Sequence, residues 1–166
     1  MTNNKTIHTL SVYVTNKPGV LARIAQTFSR RGYNIESLVV SSAIDGNFSR
    51  MTIGVSGAED GLGQIIKQVG KLVDVLHCTD HTFDDAVVKE MGLIKIAVAA
   101  EDRGEALQIA EHFGCKTVDL TDESIILQVV GDPAKIDALM EMIHKFKIIE
   151  IVRTGKVLMS RGVEIT

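Results

Sequence analysis

What most restricts the fold of this chain is an order of elements that occurs twice. Residues 7–14, IHTLSVYV, set Ile7, Thr9, Ser11 and Tyr13 against His8, Leu10, Val12 and Val14, and the second set is mostly apolar. A period of two predicts a strand with one buried face. From Val20 the apolar positions Val20, Leu21, Ile24, Ala25 and Phe28 recur three and four residues apart, with Arg23, Gln26, Arg30 and Arg31 between them. That spacing predicts a surface helix, closed by Gly32. YNIESLVVSSAI and FSRMTIGVSG flank Asp45, Gly46 and Asn47, residues suited to a hairpin turn. AEDGLGQIIKQVGKL then carries Leu62, Ile65, Ile66 and Val69 at helical spacing despite three glycines, and VDVLHC reads as a strand. The order is βαββαβ.

Around TFDDAVVKEM the chain turns polar, and from Met91 the order begins again. GLIKIAVAA predicts a strand, DRGEALQIAEHF a helix with Ala106, Ile109, Ala110 and Phe113 on one side, and KTVDLT and SIILQVVG two more strands. DPAKIDALMEMIHKF opens with Asp132 at the N-cap and Pro133 at the first helical position, and IIEIVRTG closes the cycle. The expectation is an α+β protein of two ferredoxin-like βαββαβ domains in tandem, each an antiparallel sheet with its helices on one face. The domains are placed at residues 1–80 and 91–166, with 81–90 as a linker. The plain alternative is one larger α+β sheet, since the halves share element order and little residue identity. Helices on one face leave the other to be covered, so a Val- and Ile-rich sheet of this kind is expected to associate, most simply as a homodimer.

Composition removes several function classes. Aromatics are 4% and Trp is absent, so few rings are available for stacking on bases or sugars. The net charge of −3 mixes both signs without a basic run that would track a polyanion. No apolar segment reaches the ~20 residues of a membrane span, and MTNNKTIHTL lacks the apolar stretch of a secretory signal, which points to the cytoplasm. Cys78 and Cys115 are too few for a disulfide scaffold and are expected as free thiols.

Catalytic motifs are nearly absent. GVSGAEDGLG lacks the Lys and Ser/Thr of a phosphate-binding loop, and Gly54, Val55, Ser56, Gly57 has the wrong spacing for a nucleophile elbow. A Ser-His-Asp triad is formally available, but nothing in the order of residues favours one. His77, Cys78 and His81, with His112 and Cys115 further on, offer soft metal ligands. Yet adjacent strand residues point to opposite faces and no C-x2-C spacing occurs, so no metal site is assigned. Asp84 and Asp85, and Glu101 and Asp102, sit where carboxylates usually serve helix starts, and Glu36 has no partner nucleophile. No catalytic residue is assigned, and the chain reads as a binding protein.

The segment VTNKPGVLARIAQTF is the richest candidate. Pro18 suits the second place of a turn and Gly19 a positive φ behind it. The helix that follows starts with free N–H groups around Gly19, Val20 and Leu21, donors that bind carboxylates well. Without a Cβ on Gly19 a ligand can reach the backbone, and Asn16 supplies an amide donor and acceptor. Asn34, opening the next strand, is expected near the same helix. A small amino acid would suit the pair, with its side chain among Val20, Leu21 and Ile35. Asn16 would equally serve to bend the loop or cap the helix, and chemistry alone leaves both readings standing.

N-x-x-G-x-L-x-R followed by R-G-Y-N-I-E-S-L, with SRMTIGVSG, KLVDV, GLIKIAV and IIEIVRTGKVLMSRG, resembles the regulatory (small) subunits of acetohydroxyacid synthase, also called acetolactate synthase, over nearly the whole chain. The resemblance implies an N-terminal ACT domain, a ligand-binding ferredoxin-like module, followed by a second domain of similar topology. It implies a non-catalytic chain that binds and activates the catalytic (large) subunit and confers feedback inhibition by valine. The effector would sit between two ACT domains, and the motif positions are Asn16, Gly19, Val20, Leu21, Asn34 and Ile35. No cofactor is implied for this chain; thiamine diphosphate, Mg and FAD are expected in the catalytic partner. The segment from Cys78 to Met91 follows the family pattern less clearly. A stand-alone amino-acid-sensing module acting on another enzyme is the alternative.

Overall fold

In the computed structural model, which describes residues 6–166, the alternation of IHTLSVYV places Leu10, Val12 and Val14 of strand β1 (Ile7–Thr15) in a core where none is more than 1% exposed. Helix α1 (Val20–Arg30) buries Val20, Ile24 and Phe28 against it, and Gly32 at φ 74 ends the helix as expected, its N–H donating to Ser29 O. β2 (Asn34–Ser42) and β3 (Phe48–Ser56) follow, joined by the turn in which Phe48 N donates to Asp45 O. α2 (Leu62–Gly70) turns Leu62, Ile65 and Val69 inward, and β4 (Val75–Asp80) completes the sheet in the order β2-β3-β1-β4, every pair antiparallel. That is the ferredoxin-like arrangement expected.

The second cycle repeats it. β5 (Ala86–Ala97), α3 (Arg103–His112), β6 (Lys116–Leu120), β7 (Ser124–Gly131), α4 (Pro133–Ile143) and β8 (Lys147–Arg153) give the order β6-β7-β5-β8. Ile94, Ile96, Ile125, Leu127, Val129, Ile136, Leu139 and Ile143 are all fully buried in its core. Asp132 takes the extended backbone of an N-cap before Pro133, but its carboxylate does not cap the helix. It pairs instead with Lys89 at 2.9 Å, which holds it below the usual carboxylate range. A short strand β9 (Val157–Ser160) lies beyond the repeat.

The chain divides into two compact units, residues 6–87 with Gly155–Thr166, and Val88–Thr154. Two features of this division were not visible in the pattern of residues. β5 starts at Ala86, inside the stretch expected to be a linker, and Gly155–Thr166 group with the first unit rather than the second. Charge in TFDDAVVKEM disguised the beginning of the strand. Glu90 is in fact 5% exposed, because Arg153 binds both its oxygens at 2.7 and 3.0 Å and also reaches Asp137 at 2.6 Å. Those carboxylates, Glu90 first, keep the guanidinium firmly protonated.

The face of the first sheet opposite its helices is not the bare Val- and Ile-rich surface expected. β1 and β3 present Thr9, Ser11 and Thr52 there, all under 8% exposed, with Tyr13 opposite Arg50 and His77. Thr166 meets this face, its backbone oxygen accepting hydrogen bonds from Arg50 and His77. No helix among the described residues is long and apolar enough to cross a membrane.

Candidate functional site

β1 ends at Thr15, and Asn16 turns the chain: its N–H donates to Asn47 O at 2.7 Å and its Nδ2 to Gly46 O at 3.0 Å. The side chain therefore braces the turn against the β2–β3 hairpin and turns its Oδ1 into the remaining acceptor. Gly19 stands at φ 83, ψ −7, the left-handed region that a turn of this type demands behind Pro18. No side chain caps the helix that begins at Val20 and no acidic residue lies in its first turn. The first N–H groups thus face outward beside a residue with no Cβ, and the helix dipole adds partial positive charge. Val20 contributes only its backbone, because its side chain is 3% exposed and belongs to the core. Leu21, 39% exposed, is the apolar side chain that faces out.

Three further residues build this end of the domain. Arg23, one helical turn after Gly19, lies so that a Cβ on Gly19 would sit 3.3 Å from its Nη1. Its other nitrogen pairs with Asp74, whose second oxygen accepts from Thr15 Oγ1 at 3.0 Å. The Thr15 hydroxyl and then the Arg23 guanidinium hold the Asp74 carboxyl below its ordinary value. Arg23 was legible as the last letter of N-x-x-G-x-L-x-R; Asp74, 59 positions from Thr15, carried no signal in the sequence.

Asn34 lies elsewhere. Thr15 pairs with Phe48 and Asn34 with Ser56, so eight residues of β3 separate them, roughly 27 Å along an extended strand. Within one chain Asn34 therefore does not join Asn16 at the start of α1. β1 and β2 both run antiparallel to β3, hence parallel to each other, and the end of one cannot meet the start of the other. At its own end Asn34 donates to Glu36 Oε1 at 2.8 Å, and Ser56 donates to the same oxygen. The register slips between Ile35 and Ser37, so Glu36 is the extra residue of a β-bulge. Ile35 is half-buried against the core.

The other candidates resolve as structure. His77 stacks on Tyr13 with centroids 5.4 Å apart, while Cys78, opposite Val12, turns into the core. Burial first, then Asp80, pushes the Cys78 thiol up to about 12. His112 sits edge-on to Phe113 and Cys115 is half-buried. Among the described residues no three His, Cys, Asp or Glu side chains converge as metal ligands would. Ser11, His81 and Asp84 do line up, Oγ to Nε2 at 2.9 Å and Nδ1 to Oδ2 at 2.8 Å. Ser11 is 2% exposed in mid-strand, with its backbone paired to β3 and β4, so no substrate can reach its oxygen. The chain of hydrogen bonds staples residues 81–84 to β1.

The βαββαβ unit is a ferredoxin-like module, and its uncapped helix start behind a Pro-Gly turn makes it a ligand-binding class of domain rather than a catalytic one in its chemistry. Residues 10–77 match the family model of the "AHAS small subunit-like ACT domain", and residues 89–162 that of the "small subunit of acetolactate synthase". The acetolactate synthase small subunit of Mycolicibacterium smegmatis is 42% identical over 98% of this chain and 95% of its own length. A probable acetolactate synthase small subunit of Archaeoglobus fulgidus is 42% identical over 93% and 97%. The crystal structure of the acetolactate synthase small subunit from Thermotoga maritima superposes with a TM-score of 0.83 at 36% identity, covering 95% of this chain and 99% of that one. The chain belongs to the acetolactate synthase small-subunit family.

Proposed function

We propose that this chain is a non-catalytic regulatory subunit that binds the catalytic subunit of acetolactate synthase, raises its activity, and confers feedback inhibition by valine in branched-chain amino acid biosynthesis. Family membership supports the regulatory role. The observation that carries the site is the separation of Asn16 and Asn34 at opposite ends of one sheet.

β2 is an edge strand. If two copies pair their β2 edges antiparallel about a twofold axis, Asn34 of one copy comes beside Ser42 of the other, at the end of the sheet that carries the β1–α1 turn. A homodimer of ACT domains then builds two equal sites from residues that one chain keeps apart. Valine would place its carboxylate on the N–H groups of Val20 and Leu21, against Gly19, and its ammonium on amide oxygens of Asn16 and of the partner copy's Asn34. Leu21 and Ile35 supply apolar contact. Such a ligand lowers activity only if it binds two states of the assembly with different affinity.

Calorimetry of valine, leucine and isoleucine against the purified chain, with activity of the reconstituted catalytic subunit alongside, tests the reading. Asn16→Ala should lose valine inhibition and keep activation, the lost polar contact to a charged ligand weakening binding by about 10- to 100-fold. Wild-type inhibition in that variant would remove Asn16 from the site.

A further inference from the structure

Ser37, the first residue after the β2 bulge, is flanked by two glycines from distant parts of the chain. On β3 its partner is Gly54, where a Cβ would lie 2.5 Å from Ser37 Oγ. On its other side is Gly155, where a Cβ would overlap Ser37 Cβ and sit 2.7 Å from its Oγ. Gly155 also holds φ 81, a conformation that other residues adopt at a cost. A methyl group at residue 155 would therefore displace Ser37 itself, whereas one at Gly54 would meet closely only its rotatable hydroxyl.

Two facts give this contact a place in regulation. Ser37 stands three residues from Asn34 and two from Ile35, across a bulge held by the Asn34–Glu36–Ser56 hydrogen bonds. A bulge is a point where a strand changes register locally, and an ammonium on Asn34 Oδ1 engages the same side-chain amide whose Nδ2 donates to Glu36, so ligand and bulge share one side chain. Gly155 in turn is the residue at which the chain passes out of the second unit, directly after Thr154, which is pinned to β5 by Met91 O (3.0 Å) and Met91 N (3.1 Å).

The geometry points to Gly155 as a positioning residue that passes effector occupancy at the β2 bulge, through Ser37, to the chain entering from the second unit. It is needed for inhibition and dispensable for effector binding and for activation. This rests on the effector reading above, and the coupling requires that the bulge take a second arrangement when the effector is bound.

The test uses the full chain reconstituted with the catalytic subunit, with valine titrated by activity and by calorimetry. Gly155→Ala should bind valine within about threefold of wild type and activate normally, while its inhibition midpoint rises tenfold or more. Ser37→Gly, which introduces no strain, should weaken inhibition in the same direction. The double variant, in which the lost side chain makes room for the new methyl, should be more sensitive to valine than Gly155→Ala alone; a merely structural defect would add instead. Wild-type inhibition in both single variants overturns the proposal and leaves the effector site standing. A wild-type protein that neither binds valine nor confers inhibition overturns both.

Discussion

Replacing Gly19 by Ala separates the two things that residue does. At φ 83 a Cβ is forced against the following carbonyl, a strain of about 1–2 kcal/mol. The new methyl also meets Arg23 Nη1 at 3.3 Å, a flexible contact that gives by a few tenths of an ångström. For a unit on the order of 100 residues each kcal/mol lowers Tm by roughly 4–8 °C, so Gly19→Ala should melt about 4 to 15 °C lower. The methyl stands where, in the proposed site, the effector carboxylate approaches the N–H groups of Val20 and Leu21, so valine inhibition should be lost as well. Gly19→Asn distinguishes strain from obstruction, because Asn tolerates the left-handed region at less cost. It should regain most of the Tm and none of the inhibition. Thermal melting and valine titration of the reconstituted enzyme read both quantities. A Gly19→Ala protein with unchanged Tm and unchanged inhibition would refute the assignment of strain and of the approach path together.

Two other outcomes follow from the charges and thiols. The Asp74 carboxyl, held below the ordinary 3.8 by Thr15 and Arg23, stabilises the fold fully above that value and loses its contribution as pH falls through its lower folded value. The Tm difference between wild type and Asp74→Asn should stay constant above about pH 5 and close below about pH 4; a gap that widens in acid contradicts the pairing. Cys78, pushed up to about 12 by burial, should alkylate with iodoacetamide far more slowly at pH 8 than Cys115, whose thiol burial also raises. Equal rates at the two thiols would show that the β4 face carrying Cys78 opens in solution.

Most of the fold was written in periodicity. Leu10, Val12 and Val14 alternate, Val20, Ile24 and Phe28 recur at helical spacing, and all six are buried as their pattern requires. What periodicity could not carry was pairing across the sheet. The placement of Asn34 depends on β2 lying beyond β3 rather than beside β1, a fact of topology that no local pattern states. For the same reason the Asp74–Arg23 pair and the seat of Ser37 between Gly54 and Gly155 were invisible, whereas the polar far face of the first sheet was foreshadowed by Thr9, Ser11 and Tyr13 in the alternation of β1. Only the start of β5 was hidden, and for a different cause, since Glu90 reads as a surface residue until Arg153 neutralises it from 63 positions away. The turn at Pro18 and Gly19 was legible because its chemistry is local.

If each effector site takes its turn from one chain and its Asn34 from another, chains carrying Asn16→Ala and chains carrying Asn34→Ala should each fail alone and recover on mixing. Random exchange makes half of the dimers mixed, and each mixed dimer holds one intact site and one doubly broken site. Calorimetry of the equimolar mixture should then find valine sites at about one quarter of the wild-type stoichiometry, with wild-type affinity. No recovery after verified subunit exchange would mean that Asn16 and Asn34 do not share a site across two chains.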